Sequence, residues 1–150
     1  LAQSKALWHL RESIPLAQAE EGLNIKHDIS LPVSAIPGFV ARTDAALQQR
    51  FPGAQVINFG HLGDGNLHYN LQAPDGVDGK RFLDEHEHAV NTLVFDAVAD
   101  RGGSFSAEHG IGQLKRDEML LRKSPVALHL MRGIKAALDP QGLFNPGRVL

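Results

Sequence analysis

The sequence lacks cysteine entirely, and it has no long apolar run and no block of basic residues. Without cysteine there can be no disulfide bond, no thiolate nucleophile and no cysteine-ligated zinc or iron–sulfur site, so any metal ligands must be histidine, aspartate or glutamate. No apolar segment approaches the ~18 residues of a membrane span. With 15 Lys and Arg against 17 Asp and Glu, nucleic acid is not an expected partner.

The remaining composition is that of a globular protein. A hydrophobic content of 43% over 150 residues is enough for one domain, spanning residues 1–150, with a substantial core. The chain starts Leu1-Ala2-Gln3, without methionine and already in a helical pattern. We therefore expect a piece of a longer protein. The absence of cysteine, of a membrane span and of a signal pattern makes a cytoplasmic location the expectation.

The spacing of apolar residues predicts an α+β fold. Apolar residues three and four apart predict helices over 1–21, 32–49, 80–101, 114–122 and 125–138, and alternation predicts strands over 24–31, 54–61, 66–72 and 104–107. The second helix should start irregularly because Pro37-Gly38 lies inside it. This order fits a ferredoxin-like split βαβ fold, an antiparallel sheet with helices packed mainly on one face.

The segment from Gly60 to His68 contains two histidines beside a glycine-rich turn. Asp64-Gly65 favours a two-residue hairpin turn, which sets His61 directly opposite His68. Cross-strand neighbours are close enough for two imidazoles to bind one metal ion, and Asn70 falls on the same face, opposite Phe59. Two structural histidines joined by a plain turn remain the alternative until a third ligand is found.

A third ligand is available after the last predicted strand. Glu108 offers a carboxylate that would complete a site of two histidines and one glutamate, and His109 would then be a free imidazole suited to accept a proton near neutral pH. Both side chains reach one cavity only if the chain bends at Gly110 and Gly112. An exposed strand-end turn is the alternative. The other histidines, including His27, are interpreted as solvated or capping groups.

Four motifs, in order, resemble the C-terminal part of the FAD-linked oxidase family, which includes D-lactate dehydrogenase, the glycolate oxidase flavoprotein subunit and D-2-hydroxyglutarate dehydrogenase. They are Lys26-His27-Asp28-Ile29-Ser30-Leu31-Pro32, the hairpin 61–68, Ser106-Ala107-Glu108-His109-Gly110-Ile111-Gly112, and the tail from Leu138-Asp139-Pro140 to Asn145-Pro146-Gly147-Arg148. The resemblance implies a substrate-binding domain of an enzyme that oxidises a D-2-hydroxy acid to the 2-oxo acid. It also implies FAD on a separate N-terminal domain, so that no FAD-binding residue is assigned here and the chain alone should be inactive.

The resemblance also assigns roles to individual residues. It makes His61, His68 and Glu108 ligands of a divalent metal, zinc or manganese, and His109 the base. It makes Arg11, Lys26 and Asn70 substrate-binding residues. A hydroxyl that some 2-hydroxyglutarate enzymes place four residues after the arginine is Pro15 here, which weakens the case for a second substrate carboxylate.

The same resemblance implies partners and a location. The N-terminal FAD-binding domain, a small 2-hydroxy acid and an electron-acceptor protein or quinone are the expected partners. The location would be cytoplasmic or peripheral to the inner membrane in a bacterium, and mitochondrial in a eukaryote. A non-catalytic carboxylate-binding module that depends on metal, and a purely structural ferredoxin-like module, remain the alternatives.

Overall fold

The computed structural model describes all 150 residues and contains five α-helices and a four-stranded antiparallel sheet. The helices are α1 (Ala2–Glu21), α2 (Ile36–Arg50), α3 (Gly79–Ala99), α4 (Arg116–Arg122) and α5 (Pro125–Leu138). The strands are β1 (Asn24–Ile25), β2 (Asp28–Ser30), β3 (Gln55–Phe59) and β4 (Asn66–Gln72). Leu1–Ala107 form one compact unit and Glu108–Leu150 a second. The α+β class is thus confirmed, and the predicted helices lie within a few residues of their expected bounds.

Strand β4 is the centre of the sheet in the first unit. β1 and β2 follow one another along one edge of β4 in a single register, with Asn24 opposite Gln72 and Asp28 opposite His68. β3 pairs with the other edge. The predicted strand over 104–107 is wrong, because only Ser104 forms a bridge, to Ser30. The Ser104 hydroxyl donates to the Ser106 carbonyl and curls the chain after that one pair.

The two faces of the sheet differ in polarity because side chains alternate along β4. Leu67, Tyr69 and Leu71 point into the apolar core, where they meet α2 and α3. The contacts include the Phe39 and Tyr69 rings, whose centroids are 5.2 Å apart. The other face carries Asn66, His68, Asn70 and Gln72. The sheet therefore presents a polar surface on the side opposite α2 and α3.

Helix α1 lies on that polar face, so the helices are not confined to one side. Gln18 of α1 accepts a 2.8 Å hydrogen bond from Asn70, and Gln72 Nε2 donates to the carbonyl of Glu21 at 2.9 Å. In the middle of the helix, Arg11 donates a hydrogen bond to the Gly60 carbonyl. Helix α1 therefore runs along the sheet and closes a polar layer against it.

The strand predicted over 24–31 is interrupted at Lys26-His27, although its register against β4 does not change. Tyr69 N–H donates to the His27 carbonyl, which keeps the ladder continuous through the break. The prediction of a solvated His27 is wrong. Its side chain is 1% exposed, with Nδ1 2.7 Å from the Tyr69 carbonyl oxygen and the ring edge-on to Phe95.

The second unit contains α4, α5 and the C-terminal tail. The Ser124 hydroxyl accepts a hydrogen bond from Ala127 N–H and caps the start of α5. Asp139 ends the helix and accepts from the backbone N–H groups of Leu143 and Phe144, both at 2.9 Å. Its ion pair with Lys135 and these two donors lower the pKa of Asp139 to about 2. The carboxylate therefore fixes the turn that follows α5.

Candidate functional site

The hairpin between β3 and β4 has a different register from the predicted one. Phe59, not His61, lies opposite His68, and Asn70 faces Ile57 rather than Phe59. The chain leaves β3 at Phe59 and forms a 3₁₀ turn over Leu62–Asp64, in which Asp64 and Asn66 N–H both donate to the His61 carbonyl. The predicted two-residue turn, and with it the His61–His68 pair as cross-strand neighbours, is therefore wrong.

Gly65 explains why the loop takes this form. Its φ is +72°, and a Cβ at this position would lie 2.1 Å from the Leu31 carbonyl oxygen. The Gly65 carbonyl in turn accepts from Leu31 N–H at 2.9 Å. The loop thus packs directly against the end of β2, which requires the close backbone approach that only glycine allows.

Asp28 and His68 form the centre of the candidate site. They are opposite each other on the polar face, and their ligand atoms lie within 4.8 Å. Asp28 is 3% exposed; Oδ1 accepts from Asn66 Nδ2 and Oδ2 from Ala107 N–H, both at 3.1 Å. A buried carboxylate is stable only when it is hydrogen-bonded and faces positive charge. This pair therefore suits a divalent cation, for which carboxylate oxygen and imidazole nitrogen are common ligands.

Sequence reasoning missed Asp28. An aspartate within a strand that has apolar residues at 25, 29 and 31 is unusual, because aspartate is depleted in strands. That anomaly is the signal that could have identified it. The pairing of Asp28 with His68 could not be found in the same way. It depends on the register of β2 against β4, two segments forty residues apart.

Arg11 and the His61 segment are brought together. Arg11 Nη2 donates to the Gly60 carbonyl at 3.2 Å, so the cation lies beside the residue that precedes His61. Arg11 is half-buried and His61 is exposed. A guanidinium at this position places positive charge at the edge of the polar layer, as expected for a group that binds a carboxylate.

Lys26 and Asn70 occupy the next row of the sheet. The shared register of β1 and β2 sets Lys26 opposite Asn70, one row from Asp28 and His68. Asn70 is buried, and its amide donates to Gln18 while its Oδ1 accepts from His27 N–H at 3.1 Å. Lys26 is exposed. Two of the three predicted substrate-binding residues therefore lie on one face of the sheet, next to the Asp28–His68 pair.

Glu108 and His109 are the first residues of the second unit, and both are exposed. Ala107, directly before them, is held by two hydrogen bonds to Asp28, one to the carboxylate and one, at 3.2 Å, to the carbonyl. The last residue of the first unit, directly before Glu108, is therefore hydrogen-bonded to Asp28.

Comparison with known proteins identifies the family. Residues 1–149 match the family described as FAD linked oxidases, C-terminal domain, and the chain belongs to that family. It is 40% identical over 147 residues to the D-2-hydroxyglutarate dehydrogenase of Stutzerimonas stutzeri (strain A1501), covering 98% of this chain and 31% of that protein. It is 43% identical over 148 residues to the D-2-hydroxyglutarate dehydrogenase of Xanthomonas citri pv. viticola, covering 99% and 31%.

A mitochondrial relative is equally similar. The D-2-hydroxyglutarate dehydrogenase of Bos taurus is 42% identical over 147 residues, covering 97% of this chain and 25% of the relative. The chain thus spans about a quarter to a third of the length of these three relatives. None of its helices is both long and apolar enough to cross a membrane.

Proposed function

We propose that this chain is the substrate- and metal-binding domain of a flavin-dependent enzyme that oxidises a D-2-hydroxy acid, D-2-hydroxyglutarate first among them, to the 2-oxo acid. The observation that carries the proposal is the Asp28–His68 pair on the polar face of the sheet, next to the row that contains Lys26 and Asn70. Membership of the FAD-linked family and the dehydrogenase relatives support the reaction class.

The metal would be held at His68. Two sets of ligands share this residue. The family resemblance favours His61, His68 and Glu108, whereas the close approach of the Asp28 and His68 side chains favours that pair, with His109 as the candidate third ligand because it is near in the chain. His109 follows Ala107 by two residues, and Ala107 N–H is bonded to Asp28, so the chain itself keeps His109 within reach of that pair. A divalent zinc or manganese ion there would lower the pKa of a bound substrate hydroxyl.

The remaining residues would bind and orient the substrate. Arg11 and Lys26 neutralise its negative charge, and Asn70 helps to fix its position beside His68. In the first ligand set His109 is not a ligand, and an imidazole nitrogen of His109 takes the hydroxyl proton. FAD, on a separate N-terminal domain of a longer polypeptide, supplies the hydride acceptor when bound.

The proposal also includes a ferredoxin-like fold for the first unit and a cellular location for the enzyme. The strand order, with Ser104 beside β2 and β3 on the far side of β4, supports a ferredoxin-like sandwich. The bacterial and mitochondrial relatives support a cytoplasmic or inner-membrane-peripheral location in a bacterium, or a mitochondrial one in a eukaryote. An electron-acceptor protein or a quinone would reoxidise the flavin.

Metal binding by the chain itself tests the proposal. Metal is first removed with a chelator. The chain is then dialysed to equilibrium against increasing concentrations of Zn²⁺ or Mn²⁺, and the bound metal is measured by elemental analysis. We expect one ion per chain, and a loss of affinity of about tenfold or more in His68→Ala, because a ligand is removed. His88→Ala, an exposed histidine of α3, is the matched control and should bind as the wild type does. Equal affinity in His68→Ala and wild type would contradict the site.

A further inference from the structure

A buried amide donor without an acceptor lies in the polar layer between α1 and the sheet. Gln18 is 6% exposed, and its Oε1 accepts the 2.8 Å hydrogen bond from Asn70 Nδ2. That bond fixes the orientation of the amide and points Nε2 away from Asn70. No group of the chain accepts a hydrogen bond from Nε2.

Such a donor lowers the stability of the fold, because buried polar groups in proteins are almost always paired. An apolar side chain of similar length would fill the same space without an unpaired donor, and would leave Asn70 to bond elsewhere. The orientation of Gln18 therefore indicates an acceptor that comes from outside the chain. Its two N–H groups require an oxygen ligand rather than a cation.

The surroundings of Gln18 indicate that this ligand carries negative charge. Asn70, which holds Gln18, lies opposite Lys26 in the sheet. A cleft of about 400 Å³ opens at the end of α1, and Lys26, Asn24 and Ala19, the neighbour of Gln18, line it. Lys26 lines this cleft and Gln18 directly precedes Ala19, so a cation and a neutral donor lie near each other, and this combination matches a carboxylate, which accepts several hydrogen bonds at once.

The distance to the proposed metal site sets the length of the ligand. His68 and Asn70 lie on the same face of β4, two residues apart, which corresponds to about 6.8 Å. This is about the length of a five-carbon diacid, so one molecule can place its 2-hydroxy group at His68 and its second carboxylate beside Asn70, Gln18 and Lys26. A three-carbon hydroxy acid is too short to reach both rows.

We infer that Gln18 is a substrate-binding residue: its Nε2 donates to the second carboxylate of a dicarboxylic 2-hydroxy acid and thereby favours that substrate over a monocarboxylic one. The inference rests on the proposed function and adds a residue that determines its substrate specificity. The residue also supplies a donor on the face of α1 where Pro15, one turn earlier, has none. A water molecule bound to Nε2 is the alternative, and in that case Gln18 has only a structural role.

The test uses Gln18→Glu in the full-length flavoprotein. This variant keeps the side-chain size and an oxygen for Asn70, but it replaces the donor by a negatively charged acceptor. The KM and kcat are measured for D-2-hydroxyglutarate and D-lactate, and the dissociation constants of 2-oxoglutarate and pyruvate are measured by calorimetry. Gln3→Glu, the same charge change at an exposed position of α1, is the matched control.

We expect Gln18→Glu to raise the KM of D-2-hydroxyglutarate and the dissociation constant of 2-oxoglutarate by about tenfold or more, the effect of losing a hydrogen bond to a charged group. The values for D-lactate and pyruvate should change less than about twofold, as should every value in Gln3→Glu. If Gln18→Glu does not fold, Gln18→Met, which removes the donor without adding charge, should show the same selectivity with a smaller increase.

Two results would overturn the inference, and they differ in what else they overturn. If the variants affect the diacids and the monoacids equally, or affect neither, Gln18 is structural and the proposed function stands. If the wild type neither binds nor oxidises any 2-hydroxy acid, the proposed function fails together with the inference.

Discussion

At the scale of single residues, the environment of the tyrosine on β4 is the easiest to test, because the chain contains only one tyrosine. Tyr69 is completely buried, and its hydroxyl donates to Asp44. Burial first, and then the hydrogen bond and the negative charge of Asp44, raise the pKa of Tyr69 well above its usual value of 10. A tyrosine in this environment stays protonated for as long as the fold persists.

We therefore predict that alkaline titration of the folded protein, followed by tyrosinate absorbance, shows no transition near pH 10. The same protein in concentrated denaturant should titrate with a midpoint of about 10. Since the unfolded chain then loses a proton that the folded chain keeps, Tyr69 lowers the free energy of unfolding as the pH rises above 10. A reversible transition at about pH 10 in the folded protein would contradict the buried Tyr69–Asp44 pair.

The ligands of the proposed metal can also be separated residue by residue. If Glu108 is a ligand and His109 the base, His109→Ala should keep its metal and lose turnover by ~10²–10⁴-fold, whereas Glu108→Gln should lose both together. If the ion is bound by Asp28, His68 and His109, then His109→Ala and Asp28→Asn should lose metal and Glu108→Gln should retain it. Metal content, measured by elemental analysis, together with the kcat of the three variants decides between the two sets of metal ligands.

Full metal content with full activity in all three variants would remove Asp28, Glu108 and His109 from the site. His88→Ala is again the control, because its side chain is exposed on α3 and far in sequence from the polar face. Asp28 is also hydrogen-bonded to Asn66 and Ala107, so each variant must first be shown to unfold at a temperature close to that of the wild type.

At the scale of secondary structure, the glycine-rich loop offers a pair of matched substitutions. Gly65 has a positive φ and touches the Leu31 backbone, whereas a Cβ on Gly63 would meet no atom within 4 Å. Gly65→Ala should lower the free energy of unfolding by about 2 kcal/mol or more, through left-handed backbone strain and the clash with Leu31. Gly63→Ala should change it by less than about 0.5 kcal/mol.

Denaturant unfolding of the two variants measures this difference. Gly65→Ala should also weaken metal binding, because the loop joins His61 to the strand that carries His68. If the two substitutions cost the same, the Asp64-Gly65 pair forms an ordinary surface turn and the close packing on β2 is absent.

The elements themselves follow from local patterns, whereas the site does not. The helices have strong apolar periodicity, and the structure confirms them. The hairpin register was wrong because Asp64-Gly65 signals a two-residue turn, but Gly65 instead packs on Leu31, a contact from a distant segment. The contact of Asp28 with His68 across the sheet and that of Gln18 of α1 with Asn70 were missed for the same reason: each joins distant segments, and spacing along the chain cannot indicate it.

At the scale of the whole molecule, the chain accounts for only part of the proposed enzyme. Its relatives are three to four times as long, and nothing in this chain is assigned to FAD. Several large apolar side chains of α1 are exposed, among them Trp8 at 63%. The helix thus has one face on the polar layer and exposes apolar side chains elsewhere.

In the proposed function, the polar face of this sheet binds a D-2-hydroxy acid for a flavin-dependent oxidation. The most direct test is the turnover of D- and L-2-hydroxyglutarate by the full-length flavoprotein, with an artificial electron acceptor, before chelation, after chelation and after metal is restored. We predict turnover of the D enantiomer alone, lost on chelation and recovered with zinc or manganese. Turnover that is the same for both enantiomers and insensitive to chelation would contradict the account.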